Sequence, residues 1–195
     1  LQKCVDNLAA IISNNRLSVV SCEQFEEQDL GFPNVIGLSG YIDILLKDSN
    51  SQDVIFDLKW TSVKDKYKKL LESNRAAQLA IYQAMLQSHS DSSRKARTAF
   101  FVMPQGELIT TDDFTGDHVV YVNTNNNDIM QQIRVGFETR IQQINSGQLE
   151  TADEVPLKEL DYANTIGVFP LEAKGTKTAK KVENKYSPFK CFIEK

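Results

Sequence analysis

Three residues in the stretch "GYIDILLKDSNSQDVIFDLKW", residues 40–60, have types and a spacing that could do chemistry: Asp43, Asp57 and Lys59. All three interrupt apolar runs that otherwise read as buried strands. Side chains alternate across a strand, so Val54, Phe56, Leu58 and Trp60 share a core face, while Ile55, Asp57 and Lys59 share the other. The Cα atoms of Asp57 and Lys59 then lie about 7 Å apart. In "GYIDILL" the same alternation groups Ile42, Ile44 and Leu46 and sets Tyr41, Asp43 and Leu45 opposite. The polar "DSNSQD" between the runs is a turn, which makes the strands antiparallel neighbours and places Asp43 beside Asp57. Two carboxylates in a partly buried place repel each other, and a hard divalent cation resolves the conflict. Mg²⁺ commonly takes only one or two protein carboxylates and keeps waters. An ammonium group next to it steadies a nucleophile or the charge building on a phosphate. That chemistry is metal-dependent hydrolysis of a phosphodiester. A plainer reading stands beside it: an edge-strand lysine in a surface ion pair worth little to the fold.

The elements that must position these residues are legible in outline. Val5, Leu8, Ile11 and Ile12 recur at helical spacing over 1–14. "LSVVSCEQFEEQ" reads as a strand, "LGFPNV" as a loop, 38–47 as a second strand and 53–61 as a third. Strong helix formers run through 71–87. "SHSDSSRKAR" reads as a loop and "TAFFVMPQ" as a buried strand, with "GELITTD" continuing it, a hairpin between them being one option. A further helix carries Ile129, Ile133, Phe137, Ile141 and Ile144 on one stripe, with Gly147 as its cap. The order αβββαβ, then a helix, makes an α+β fold: a mixed central sheet flanked by helices.

Inside the helix over 71–87, Gln78 and Tyr82 are four residues apart and so share a face, with Arg75 three residues ahead on the same side. All three can donate to phosphate oxygens or stack on bases. Taken alone, Tyr82 reads equally as a core aromatic and Gln78 as a helix former.

Composition limits the classes. The 195 residues are 41% hydrophobic and 25% charged, as in a soluble domain. No apolar run reaches the roughly 18 residues that span a membrane, and no secretory leader is visible. No GxxxxGK[ST] loop occurs, which argues against ATP use by this chain. The net charge is −4, but from residue 172 onward seven lysines face three glutamates, a basic end on an acidic body. Cys4, Cys22 and Cys191 form no CxxC pair and read as small buried hydrophobes in a reducing, cytoplasmic compartment. A start at Leu1 suits a piece of a longer chain.

Together "GYIDILL", "VIFDLKW" and "QLAIYQ" resemble the G-x-h-D, hhD-h-K and QxxxY motifs of the RecB-type branch of the PD-(D/E)xK nuclease superfamily, over about Val19 to Gln83. The resemblance implies a restriction-endonuclease-like core, with Asp43 and Asp57 as metal ligands, the Leu58 carbonyl as a further one and Lys59 as the catalytic lysine. Gln78 and Tyr82 would orient the site and the DNA strand. "SCEQFEEQ" is similar to the acidic strand that often precedes G-x-h-D, which makes Glu23, like Arg75, a subsidiary candidate. Two departures stand out. The family's upstream histidine ligand has no counterpart, since His89 and His118 lie downstream and read as solvent-facing loop residues, so its place would be ahead of Leu1. The cysteine spacing of the iron–sulfur relatives is also missing, and no cluster is expected.

The expectation is therefore a Mg²⁺- or Mn²⁺-dependent deoxyribonuclease acting on single-stranded DNA or duplex ends. It resembles the nuclease domain, an exonuclease, of an AddB-like or RecB-like recombination-repair helicase–nuclease, with a helicase portion as partner and no membrane. Residues 1–150 form the nuclease core and 151–195 a C-terminal extension. The alternative is a catalytically silent DNA-binding or scaffold module that keeps the fold.

Overall fold

The computed structural model describes residues 2–32, 35, 37–63, 65–89, 94–124 and 128–147. The expected extension over 151–195, its lysines and Cys191 lie outside the described residues. Two compact units divide the chain, Leu1–Met130 and Gln131–Lys195.

The first unit holds α1 (Gln2–Asn14), β1 (Ser18–Gln28), β2 (Leu38–Lys47), β3 (Asp53–Lys59), α2 (Lys66–Glu72), α3 (Ala77–His89), β4 (Arg97–Val102), β5 (Glu107–Thr110) and β6 (Val119–Tyr121). The strands form one mixed sheet in the order β1-β2-β3-β4-β5-β6. β3 pairs with β4 in parallel and β5 with β6 in parallel, while the other neighbours are antiparallel. A parallel partner requires a crossover connection, and α2 and α3 supply it between β3 and β4. "GELITTD" is thus the return arm of a hairpin, and the three-residue β6 is a strand that sequence patterning did not reveal.

Helices cover both faces of the sheet. On one face Ile11 and Leu17 pack with Ile44, Leu46, Val54, Phe56, Phe101 and Leu108, joined by Leu8 and Ile12 of α1. On the other, Tyr82, Met85 and Leu86 of α3 pack on Ile42, Leu45 and Ile55, and Leu71 and Leu79 pack on Phe100, Val102 and Ile109. β3 and β4 are buried on both faces, which explains their near-continuous apolar runs. The β2–β3 turn is tied by Asp48, whose Oδ1 accepts from the N–H groups of Asn50 at 2.8 Å and Gln52 at 2.9 Å.

The single helix expected over 71–87 is instead two. Asn74 adopts φ 53°; its N–H bonds the Leu71 carbonyl at 3.0 Å, and the Arg75 N–H bonds the Leu70 carbonyl at 2.9 Å. That pattern is a Schellman stop with asparagine in the left-handed position, and it outweighs the helix propensity on either side.

Of the second unit the described part is α4 (Ile129–Asn145), which begins at the last residues of the first. Gly147, at φ 78°, follows its end and bonds the Ile144 carbonyl at 3.0 Å. Ile144, placed on the apolar stripe by its spacing, is exposed. Among the described residues no helix is long and apolar enough to cross a membrane.

Candidate active site

The antiparallel ladder between β2 and β3 runs Lys47↔Asp53, Leu46↔Val54, Leu45↔Ile55 and Ile44↔Phe56 and then stops. The next rung would pair Asp43 with Asp57. There the ladder bond is replaced: the Leu58 N–H donates to Asp43 Oδ2 at 2.7 Å. Simple alternation also fails at this point. Ile44 and Leu46 pack on the α1 side, but Ile42 packs with Leu45 and Ile55 on the α3 side. The expected grouping of Ile42 with Ile44 and Leu46 is therefore corrected. On β1, between Cys22↔Ile44 and Gln24↔Ile42, Glu23 takes φ 50°. The shift of register on β1 itself falls earlier, between Val19 and Ser21.

Asp57 is 1% exposed, the most deeply buried acid of the described residues. Both of its carboxylate oxygens are buried, and Oδ1 has no partner. Lys59 Nζ lies 2.5 Å from Asp57 Oδ2 as an ion pair. Burial pushes the Asp57 carboxyl up to about 6; Lys59 pulls against that rise, and the neighbouring Asp43 charge adds to it. A buried carboxylate with one oxygen left without a partner, and a second carboxylate opposite it at the end of the ladder, form a site that fits a divalent cation. Among the described residues no group of three His, Cys, Asp or Glu gathers as a ligand set. Two carboxylates fall within the sparse protein ligation that a hard divalent cation accepts.

The lysine is held from the helix side. Lys59 Nζ donates to Gln78 Oε1 at 2.9 Å, and Gln78 Nε2 donates to the Tyr82 hydroxyl at 3.1 Å. The two bonds fix which end of the Gln78 amide faces which partner. Beneath the lysine lies Phe100, which the parallel register sets beside Asp57, with its ring centroid 5.9 Å from Nζ. Tyr82 is 8% exposed, among Ile42, Leu45 and Ile55. Gly40 makes room for it: a Cβ there would stand 3.0 Å from Tyr82 Cε1 and 3.4 Å from its hydroxyl. Tyr82 is thus both the core aromatic and the end of the polar chain. The glycine of "GYID" carried the signal for this contact, which sequence reasoning did not use.

The remaining candidates fall outside this group. Arg75 is exposed and precedes α3, so it does not share a helical face with Gln78. Glu23 is exposed at the strand irregularity. His89 is the last residue of α3 rather than part of a loop, and His118 lies half-buried in the turn just before β6. Cys4 packs partly buried against α1's cluster, whereas Cys22 is exposed on β1. Trp60, expected on the core face of β3, is 74% exposed. Pairing of β3 with β4 ends at Lys59↔Val102, and beyond the sheet alternation no longer dictates burial.

A family model described as the PD-(D/E)XK nuclease superfamily matches residues 2–155. No curated protein matches the chain.

Proposed function

The chain belongs to the PD-(D/E)XK nuclease superfamily, and on that premise we propose that it is a Mg²⁺- or Mn²⁺-dependent deoxyribonuclease hydrolysing DNA phosphodiester bonds. The observation that carries the reading is Asp57, buried, with its Oδ1 lacking a partner and its Oδ2 in an ion pair with Lys59, opposite Asp43 where the β2–β3 ladder ends. Asp43, Asp57 and the Leu58 carbonyl would hold the cation. When bound, such an ion polarises the phosphodiester and makes a water a competent nucleophile near neutral pH.

The protein's own groups do the rest. Lys59 presents its ammonium where negative charge grows on the attacked phosphate. Gln78 keeps that ammonium in one direction, Tyr82 keeps Gln78, and the Gly40 backbone leaves Tyr82 its place. Preorganisation of this kind removes reorganisation from the reacting step. Asp57 must lose its proton to hold a cation, so proton and metal compete at one carboxylate.

The motif set "GYIDILL", "VIFDLKW" and "QLAIYQ" supports a RecB/AddB-like assignment: a cytoplasmic exonuclease domain, with 1–150 as its core, fed with DNA by the helicase portion of a recombination-repair enzyme. The test incubates labelled single- and double-stranded DNA with Mg²⁺, Mn²⁺ or EDTA, for wild type, Lys59→Ala and Asp57→Ala. Metal-dependent cleavage lost in both variants is the expected result. DNA binding without cleavage, unchanged in Asp57→Ala, would overturn it in favour of a silent binding module.

A further inference from the structure

We propose that Trp60 is a base-stacking platform for an unpaired nucleic-acid strand, which leaves the active site along the lysine-rich β3–α2 connection. This rests on the nuclease reading and deepens it by naming the substrate as single-stranded. Trp60 is the only tryptophan of the chain, follows Lys59 directly and is 74% exposed, with Val63 at 59% beside it in the same connection. An indole so exposed adds little to the core, yet offers a flat π-face to any base. Bases inside a duplex already stack on one another, so only an unpaired strand presents a free face for it.

Charge selects the same partner. Residues 59–69, "KWTSVKDKYKK", carry five lysines against one aspartate. Elsewhere in residues 1–171 ten basic groups face twenty-two acidic ones. A polyanion is therefore drawn to this connection and repelled from most of the remaining body. The shape follows suit: a groove of about 360 Å³ runs beside the connection, lined by Val63, Lys66, Tyr67, Lys68 and Gln105 among others. Asp65 and Glu107 also line it. Gln105 brings a buried amide oxygen with no partner. One of its lining residues, Tyr67, packs tilted against Phe100, the ring beneath Lys59, with centroids 4.8 Å apart. The exposed pair Phe25 and Tyr41 is a poorer platform. Their rings lie 5.2 Å apart and partly cover each other, and no lysine cluster accompanies them.

The sole tryptophan makes the test direct. In EDTA, where no cleavage occurs, oligothymidylate is titrated into the protein and the Trp60 fluorescence followed, with a blunt duplex of equal length as comparison. Quenching by the single strand and much weaker quenching by the duplex are expected. Anisotropy of a labelled oligothymidylate should show affinity falling roughly 5- to 100-fold in Trp60→Ala and much less in Trp60→Phe. Lys66→Gln with Lys68→Gln should lower the salt slope of log K by about 1 to 1.5. Cleavage with Mn²⁺ is measured alongside. Cleavage of single strands without quenching, and with equal affinity of Trp60→Ala, would overturn the platform and leave the nuclease reading standing. Quenching without metal-dependent cleavage would support the platform and remove the enzyme. A tryptophan signal that changes with protein concentration alone, together with loss of a dimer in Trp60→Ala, would overturn the platform by assigning that face to a second copy of the chain.

Discussion

Asp57→Asn tests the electrostatics of the site without any substrate. The wild-type carboxyl is raised from 3.8 to about 6, first by burial and despite the Lys59 ion pair. A raised acid pKa means that the folded chain holds the proton longer than the unfolded one, so stability falls as pH climbs from about 4 to about 6. At about 1.4 kcal/mol per unit, a rise of roughly two units corresponds to about 3 kcal/mol lost once Asp57 is ionised. An asparagine of the same shape carries no charge to desolvate. In EDTA, urea unfolding of wild type should therefore lose about 3 kcal/mol more than the variant between pH 4 and pH 7. Far-UV circular dichroism is the probe of choice, because Trp60 is already in water when the chain is folded. Asp112, another carboxyl raised by burial, contributes the same slope to both proteins and drops out of the difference. Adding Mn²⁺ at pH 7.5 should then stabilise wild type by about 3 kcal/mol at a hundred times its dissociation constant and leave the variant nearly unchanged. Parallel pH profiles for the two proteins, or equal stabilisation by Mn²⁺, would refute the account of Asp57 as a buried, cation-seeking carboxylate.

Gly40→Ala should push on Tyr82, which its neighbours leave no room to move, at a cost of about 1–3 kcal/mol; an unchanged urea midpoint would contradict the contact. Gln78→Ala releases Lys59 from an exposed position, so stability should stay within about 0.5 kcal/mol while kcat falls about tenfold through lost positioning. Tyr82→Phe keeps the ring and drops only the hydroxyl partner of Gln78, so its kcat should lie between those of wild type and Gln78→Ala in the same assay. Asn74→Val should lose about 1–2 kcal/mol and Asn74→Gly little or nothing, because the position is left-handed; equal melting temperatures would refute the Schellman stop between α2 and α3.

Residue types at short range were enough to read several things about this protein. The strand 38–47, a third strand read as 53–61 that ends at Lys59, the polar turn between them, the shared helical face of Gln78 and Tyr82 and the closeness of Asp57 to Lys59 all follow from periods of two and 3.6 and from turn chemistry. The stop at Asn74 was local too, and lay in the sequence unread. Other features required strands and helices distant in the chain to meet. Asp43 escapes simple alternation because its carboxylate takes the Leu58 N–H across the end of the ladder. Phe100 comes beneath Lys59 only because β4 pairs with β3 in parallel. Gly40 matters only because Tyr82 of α3 comes down upon it. Trp60 is in water because the sheet ends one residue earlier. Periodicity states which way a side chain points from its own backbone; what it meets there, protein, water or a charge, is decided by the elements that arrive opposite it.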